Sequence, residues 1–472
     1  MLHVSPEEIT EGRLTPALLL LAAPLVAQNL VRVVGVTVDF FWLGRYSESA
    51  VAGVGLAAPA VAFAAGVILF MPFVATQVVV SRRVGSGDTA AARRGYFNGL
   101  LLAAVVAVVA GAVVYVVTEP VVGALISVQP GAGAGAVKAA AVTYIQVSAI
   151  GFLAMALGDT AEAGFIAWGD SKTSLAMNVL AVSVNVVLDP LLIFGYAPLG
   201  IPEYGVAGAA AASVVAEGTA FLLAVGVILT GRNGWMLARG HLAVSWSDLR
   251  GLVAVGLPVA GQQAARQSVR LVMVSVAFVA GGAAGLAAYF LGARVAGIAF
   301  VPAGSMQQAV QSVVGQNLGA EHPERAERAV FAGGAVTLVG LSTVGVIQWF
   351  VPEPIVGLLA PELSAEAVRL SVLYLQILAL GYPAMAVSYL VEGGFNGAGQ
   401  TTVSFYATLG QFWGVRLPVA LVAVFALSMG APGVFWAVTI SNLVAAVAIG
   451  AYYWQSVADG LFSRAAQQAA AD

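Results

Sequence analysis

The chain has 472 residues, of which 60% are hydrophobic and only 9% charged, with a net charge of −3. A soluble domain carries roughly 25% charged residues, so this composition excludes a water-solvated globule and points to a chain solvated mainly by lipid. The weak negative charge without a basic stripe argues against nucleic acid as a partner, and the absence of cysteine excludes disulfides, thiolate chemistry and cysteine metal sites.

In chain order, Met1 to Arg13 carries Glu7, Glu8 and Glu11 where a signal peptide would be basic, so the first apolar span is expected to stay in the mature protein. Charged and Gly/Pro-rich breaks then delimit twelve apolar segments, at 14–43, 52–80, 95–117, 137–158, 172–195, 205–230, 249–279, 285–315, 328–350, 366–390, 402–428 and 432–455. Each is long enough to cross a hydrocarbon core of about 30 Å as a helix, and the 55 glycines suit helices that pack closely. The alternating Gly/Ala run 131–136 reads as a flexible outer loop. The polar stretch 231–248 reads as a cytoplasmic linker between an N-terminal lobe, 1–230, and a C-terminal lobe, 249–472. His3, His241 and His322 all fall in polar segments and form no buried metal cluster.

The chain repeats itself. Residues 24–94 match 258–328 without a gap, carrying Pro24, Gln28 and Arg32 onto Pro258, Gln262 and Arg266. Further on, Tyr144, Glu162 and Gly164 recur as Tyr374, Glu392 and Gly394. Six spans per repeat is an even number, so both halves enter from the same side. The expected fold is an all-α membrane protein: twelve transmembrane helices in two six-helix bundles related by a pseudo-twofold axis along the membrane normal, an arrangement suited to alternating access. Arginine and lysine concentrate in the N-terminus, the even-numbered loops and the tail, which places both termini in the cytoplasm of a multi-pass plasma-membrane protein. With both halves in one chain, a monomer is the default.

In the first span, Gln28, Arg32, Gly35 and Asp39 are spaced by four, three and four residues and share one helix face. Such a stripe cannot face lipid, because an ionised group at the bilayer centre costs about 3 kcal/mol or more unless paired or hydrated. The seventh span keeps Gln262 and Arg266 but has Met273 where the first has Asp39. Residues shared by the repeats are candidates for architecture, and the one that differs is the candidate for chemistry. Asp39 is therefore singled out, the alternative being an ion pair with Arg32 that only fastens helices. In the fifth span Asn185 and Asp189 lie one turn apart, followed by Pro190, which frees a backbone carbonyl. Together they offer the oxygens a hard cation requires; the alternative is a proline kink with Asp189 near the interface. Ser213 could add a hydroxyl or simply bond its own preceding turn, and Glu217 is a secondary candidate for proton handling.

In the second half, Arg266, Arg270, Arg294 and Arg416 bring positive charge into spans without an obvious deep carboxylate; Glu392 is one available partner. Glu162 and Glu392 read as gate or hinge residues. The loops 81–94 and 316–328 read as ordinary solvated loops. No phosphate-binding Gly-Lys-Ser/Thr ending, nucleophile–His pair or cofactor motif is present, so ATP binding and enzyme chemistry are unsupported and no cofactor is expected.

The segments APLVAQNLVRVVGVTVDFFWLGRYS in span 1, NVVLDPLLIFG at 185–195, GVAGAAAAS at 205–213 and the paired GFIAWGDSKT and GFNGAGQTT resemble the multidrug and toxic compound extrusion (MATE) family over nearly the whole chain, most closely its DinF-like and archaeal branch. The resemblance implies two six-helix bundles around a V-shaped cleft. It also implies export of small cationic or amphipathic organic compounds in exchange for H⁺ or Na⁺. In that branch an ion site in the N-terminal lobe maps to Asp39, Asn185 and Asp189, with Ser213 where similar proteins commonly carry threonine; these residues would hold Na⁺ if sodium is the coupling ion. Gln28, Arg32, Glu217, Gln262 and Arg266 are secondary polar cleft candidates. The acids that the NorM-like branch carries in spans 7 and 10 are missing from the deep part of those spans here. Two other functions stay open: a flippase for a lipid-linked saccharide, for which Arg266, Arg270 and Arg416 would offer the cationic cleft, and a non-transporting receptor or scaffold.

Overall fold

The computed structural model describes residues 6–127, 134–231, 236–237, 240 and 242–471, which are almost entirely helical and include no strand. The expected outer loop at 131–136 lies outside the described residues for its first half, and its second half opens the helix Ala134–Ala167. His3, His241 and much of the expected linker 231–248 also lie outside them.

Among the described residues ten helices are long and apolar enough to cross a membrane. One of them, Trp246–Ala299, has 54 residues, about 80 Å of helix where about 30 Å suffices. At Gly282 the backbone leaves helical geometry, with φ 56° and ψ −151°, in a region that favours glycine. That break separates the seventh span from the eighth, which continues through Val301–Gly319. A helix pair bent by 50°, Ala365–Leu380 with Tyr382–Gly397, supplies one more span. The twelve expected spans are therefore all present, each near the residues its composition indicated.

The described residues group into two compact units, one of 24–84 and 88–260, the other of 6–23, 85–87 and 261–472. In the first, Leu25, Phe73, Val78, Ala163, Ile166 and Val259 form a buried apolar cluster. In the second, Tyr374 stacks on Phe435 with ring centroids 4.3 Å apart and on Tyr289 at 6.0 Å. That stack leaves no room for a side chain at Gly292, where a Cβ would fall 2.2 Å from the Tyr374 ring. The eleventh span is irregular: two π-helical stretches, Gly410–Arg416 and Val422–Ala426, interrupt it. Inserted turns of this kind re-aim side chains and recur at functional sites.

The segments expected to be solvated loops are instead docked. Arg83 donates Nη2 to Asp248 at 2.6 Å with both side chains largely buried, and Asn98 holds the backbone of Ala243 and Ser245 at 3.0 Å each. In the other half, Arg325 donates to the carbonyls of Gly12 and Ile9 at 2.8 and 3.2 Å and to Asn317 at 3.2 Å. It thereby satisfies carbonyls left open at the end of the short helix Pro6–Glu11. The reason is charge economy: a buried carboxylate or helix end needs a donor, and these arginines are the available ones.

Candidate functional site

In the first unit, span 1 (Leu14–Tyr46), from Pro24 onward, lays its polar face against span 4 (Ala134–Ala167) and span 5 (Ser171–Ile193). Gly35 lets span 5 come close, since a Cβ there would sit 3.3 Å from Val182. The deepest part is a closed hydrogen-bond network around Glu162, which is 3% exposed. Glu162 accepts from Gln28 at 2.6 Å, Arg32 at 3.0 Å and Asn178 at 3.0 Å. Arg32 also donates to Asn178 and, at 3.4 Å, to Asp159. Arg32 is thus committed to Glu162 and Asp159, and the alternative expectation of an Arg32–Asp39 ion pair is corrected: among the described residues no ion pair joins them.

Asp39 faces a different set of groups. Its carboxyl lies within hydrogen-bonding reach of Asp189, and Asn185 reaches both acids. Asn185 donates Nδ2 to Asp189 at 3.3 Å and to Ser213 Oγ at 3.4 Å, while Ser213 bonds the Ala209 carbonyl at 3.4 Å. Asp189 is 0% exposed although it stands only four residues from the end of its helix. The helix runs through Pro190 to Ile193, which keeps Asp189 inside the bundle. One oxygen of each acid, Asp39 Oδ1 and Asp189 Oδ2, is buried without a donor. Two carboxyls this close and unserved by any guanidinium either share a proton, which leaves one of them neutral, or stay ionised around a cation. The oxygens of Asp39, Asn185, Asp189 and Ser213 suit either one.

These groups border a cavity of about 310 Å³ whose walls include Arg32, Asp39, Tyr144, Asp159, Asn185, Ser213 and Glu217. Glu217 stands opposite Gly158, 3.7 Å from where a Cβ would be. One arginine therefore faces three carboxyl groups across this space. Asp159 was not among the sequence candidates. The signal for it was available: it precedes Glu162 by three residues on the same face, and its repeat position holds Tyr389, so it differs between halves as Asp39 does.

The second unit preserves the arginine–glutamate pair and replaces the rest. Arg266 donates Nη2 to Glu392 at 2.9 Å, and Gln307 joins it at 3.3 Å. Gln262 does not follow its counterpart Gln28 to the glutamate but donates to the Ser404 carbonyl at 3.1 Å. Glu162 and Glu392, read from sequence as gate or hinge residues, are in each unit the acceptor at the centre of a buried polar cluster. A cavity of about 340 Å³ lies here, bordered by Arg266, Arg270 and Arg416 with Glu392 as its single acid.

Twelve apolar helices, two repeat-related arginine–glutamate ion pairs and acid-lined space inside the first unit define a polytopic helical membrane protein with polar sites inside its helical bundles. The chain belongs to the MatE family, whose model matches residues 24–191 and 258–422. It is 27% identical over 442 residues to the probable multidrug resistance protein NorM of Thermotoga maritima, covering 94% of this chain and 92% of that one. It is 26% identical to the multidrug resistance protein PmpM of Pseudomonas aeruginosa, covering 85% and 82%. Its fold matches a multidrug resistance MATE-family transporter of the MOP superfamily solved in an outward-facing conformation, with a TM-score of 0.86, 21% identity and 96% and 98% of the two chains covered.

Proposed function

We propose that this protein exports small cationic or amphipathic organic compounds, drugs and toxins among them, in exchange for inward movement of H⁺ or Na⁺. The observation that carries this reading is the Asp39–Asp189 pair, two carboxyls that each keep a buried oxygen without a donor and so hold a place for a proton or a cation. Membership of the MatE family and the multidrug resistance relatives support the direction of transport and the substrate class.

In this mechanism the entering ion binds among Asp39, Asn185, Asp189 and Ser213 and removes the repulsion between the two acids. The differential affinity of the ion for the two states of the lobe then shifts the conformational equilibrium. Arg32, Gln28 and Gln262, Arg266 hold architecture in the two halves, and Glu217 and Asp159 shape the field of the cavity. The lobes 1–230 and 249–472 joined by 231–248, the cytoplasmic termini, the monomeric state and the DinF-like assignment belong to the same proposal.

Proteoliposomes loaded with a fluorescent organic cation, given either a Na⁺ gradient or a pH gradient, test it. Wild type should release the dye under one gradient, and Asp39→Asn with intact folding should not. Full gradient-driven efflux in the variant would remove the coupling site from the mechanism.

A further inference from the structure

The cavity of the second unit has the opposite charge balance to that of the first, and its residues explain why. Of its three arginines only Arg266 has a carboxylate partner, Glu392 at 2.9 Å. Arg416 is oriented entirely by neutral groups: it donates to Ser441 Oγ at 2.9 Å and Asn442 Oδ1 at 2.6 Å, and its guanidinium lies 4.1 Å over the Phe412 ring. Gln411 donates to the same Asn442 oxygen at 2.9 Å, so the acceptor side of that amide is fully used and the arginine is locked in place. Arg270 has no carboxylate within salt-bridge distance among the described residues and is exposed on the cavity wall. Two guanidiniums are thus presented to one space without counter-charge, one of them held rigid. The π-helical turn Gly410–Arg416 places both Arg416 and Phe412 on that wall.

An uncompensated guanidinium inside a membrane-spanning bundle is unfavourable unless it is hydrated or meets an anion, and arginine's fork fits a carboxylate through two parallel hydrogen bonds. The remaining wall is aromatic, with Tyr289, Tyr374 and Phe412. A volume of about 340 Å³ is within the range of small-molecule sites and accommodates a two-ring ligand. We propose that the cavity of the second unit is a binding site for an aromatic carboxylate, its carboxyl between Arg270 and Arg416 and its rings against Tyr289 and Phe412. This goes beyond the export reading by giving the substrate class an anionic arm that the acid-lined cavity of the first unit would reject.

The test is calorimetric titration of the purified full-length protein in detergent with naphthalene-1-acetate, its neutral amide and inorganic phosphate. No gradient is involved, so its failure and failure of the coupling mechanism are distinguishable. Wild type should bind the acid about tenfold or more tightly than the amide, and inorganic phosphate should bind far more weakly than the aromatic acid. Arg270→Gln, at an exposed position without a hydrogen-bond or ion-pair partner among the described residues, should fold normally and lose most of the acid-over-amide preference, whereas Asp39→Asn should keep it. Equal binding of acid and amide, or a preference unchanged in Arg270→Gln, would overturn the assignment, as would phosphate binding as tightly as the aromatic acid.

Discussion

Arg266 meets Glu392 at 2.9 Å, and their repeat counterparts Arg32 and Glu162 meet at 3.0 Å. The duplication has kept one ion pair on a buried glutamate in each half while the polar groups around it diverged. In the first half the additions are acids, Asp39, Asp159, Asp189 and Glu217; in the second they are the arginines 270 and 416.

Glu162→Ala should destabilise the protein by about 2–4 kcal/mol, because it leaves the donors of Gln28, Arg32 and Asn178 without their common acceptor. Thermal unfolding in detergent should show a midpoint several degrees lower. An unchanged midpoint would mean that the network contributes nothing to folding.

Asp39→Asn should fold at least as stably as wild type while losing gradient dependence. The new amide can donate to Asp189, supplying the donor that the pair lacks. Thermal unfolding and proteoliposome efflux on one preparation check this; a large fall in stability would reassign Asp39 to a structural role.

Ser213 separates the two coupling ions. If Na⁺ is bound, Ser213→Ala removes a ligand oxygen and should raise the Na⁺ concentration for half-maximal efflux by about tenfold, whereas Ser213→Thr should restore it. If protons couple, both variants should leave the pH dependence of efflux close to wild type, since the hydroxyl only orients Asn185.

Asp248→Ala should cost about 2–4 kcal/mol, because it strips Arg83 of a buried carboxylate at 2.6 Å and Arg94 of one at 3.7 Å. A surface pair would cost under about 1 kcal/mol, so the unfolding midpoint distinguishes a docked helix start from a solvated loop.

The amino-acid sequence by itself determined the class, the twelve spans, the duplication and the candidate acids. These are local or periodic properties: apolar length, helical spacing and self-similarity survive without knowledge of partners. It could not say whom Arg32 would pair with, since Asp39 shares its face two turns further along, whereas Glu162 and Asp159 arrive from another helix 127 to 130 positions away. The same holds for Asp189, which stands near its span end as its position indicated and yet is completely buried, and for Arg83 and Arg325, which were read as solvated. Only the tertiary structure decided that Asp39 and Asp189 would each keep one oxygen without a donor and that Arg270 and Arg416 would share a cavity whose acid, Glu392, is paired with Arg266. Charge balance inside a bundle is set by which helices are neighbours, and distance along the chain carries no information about that.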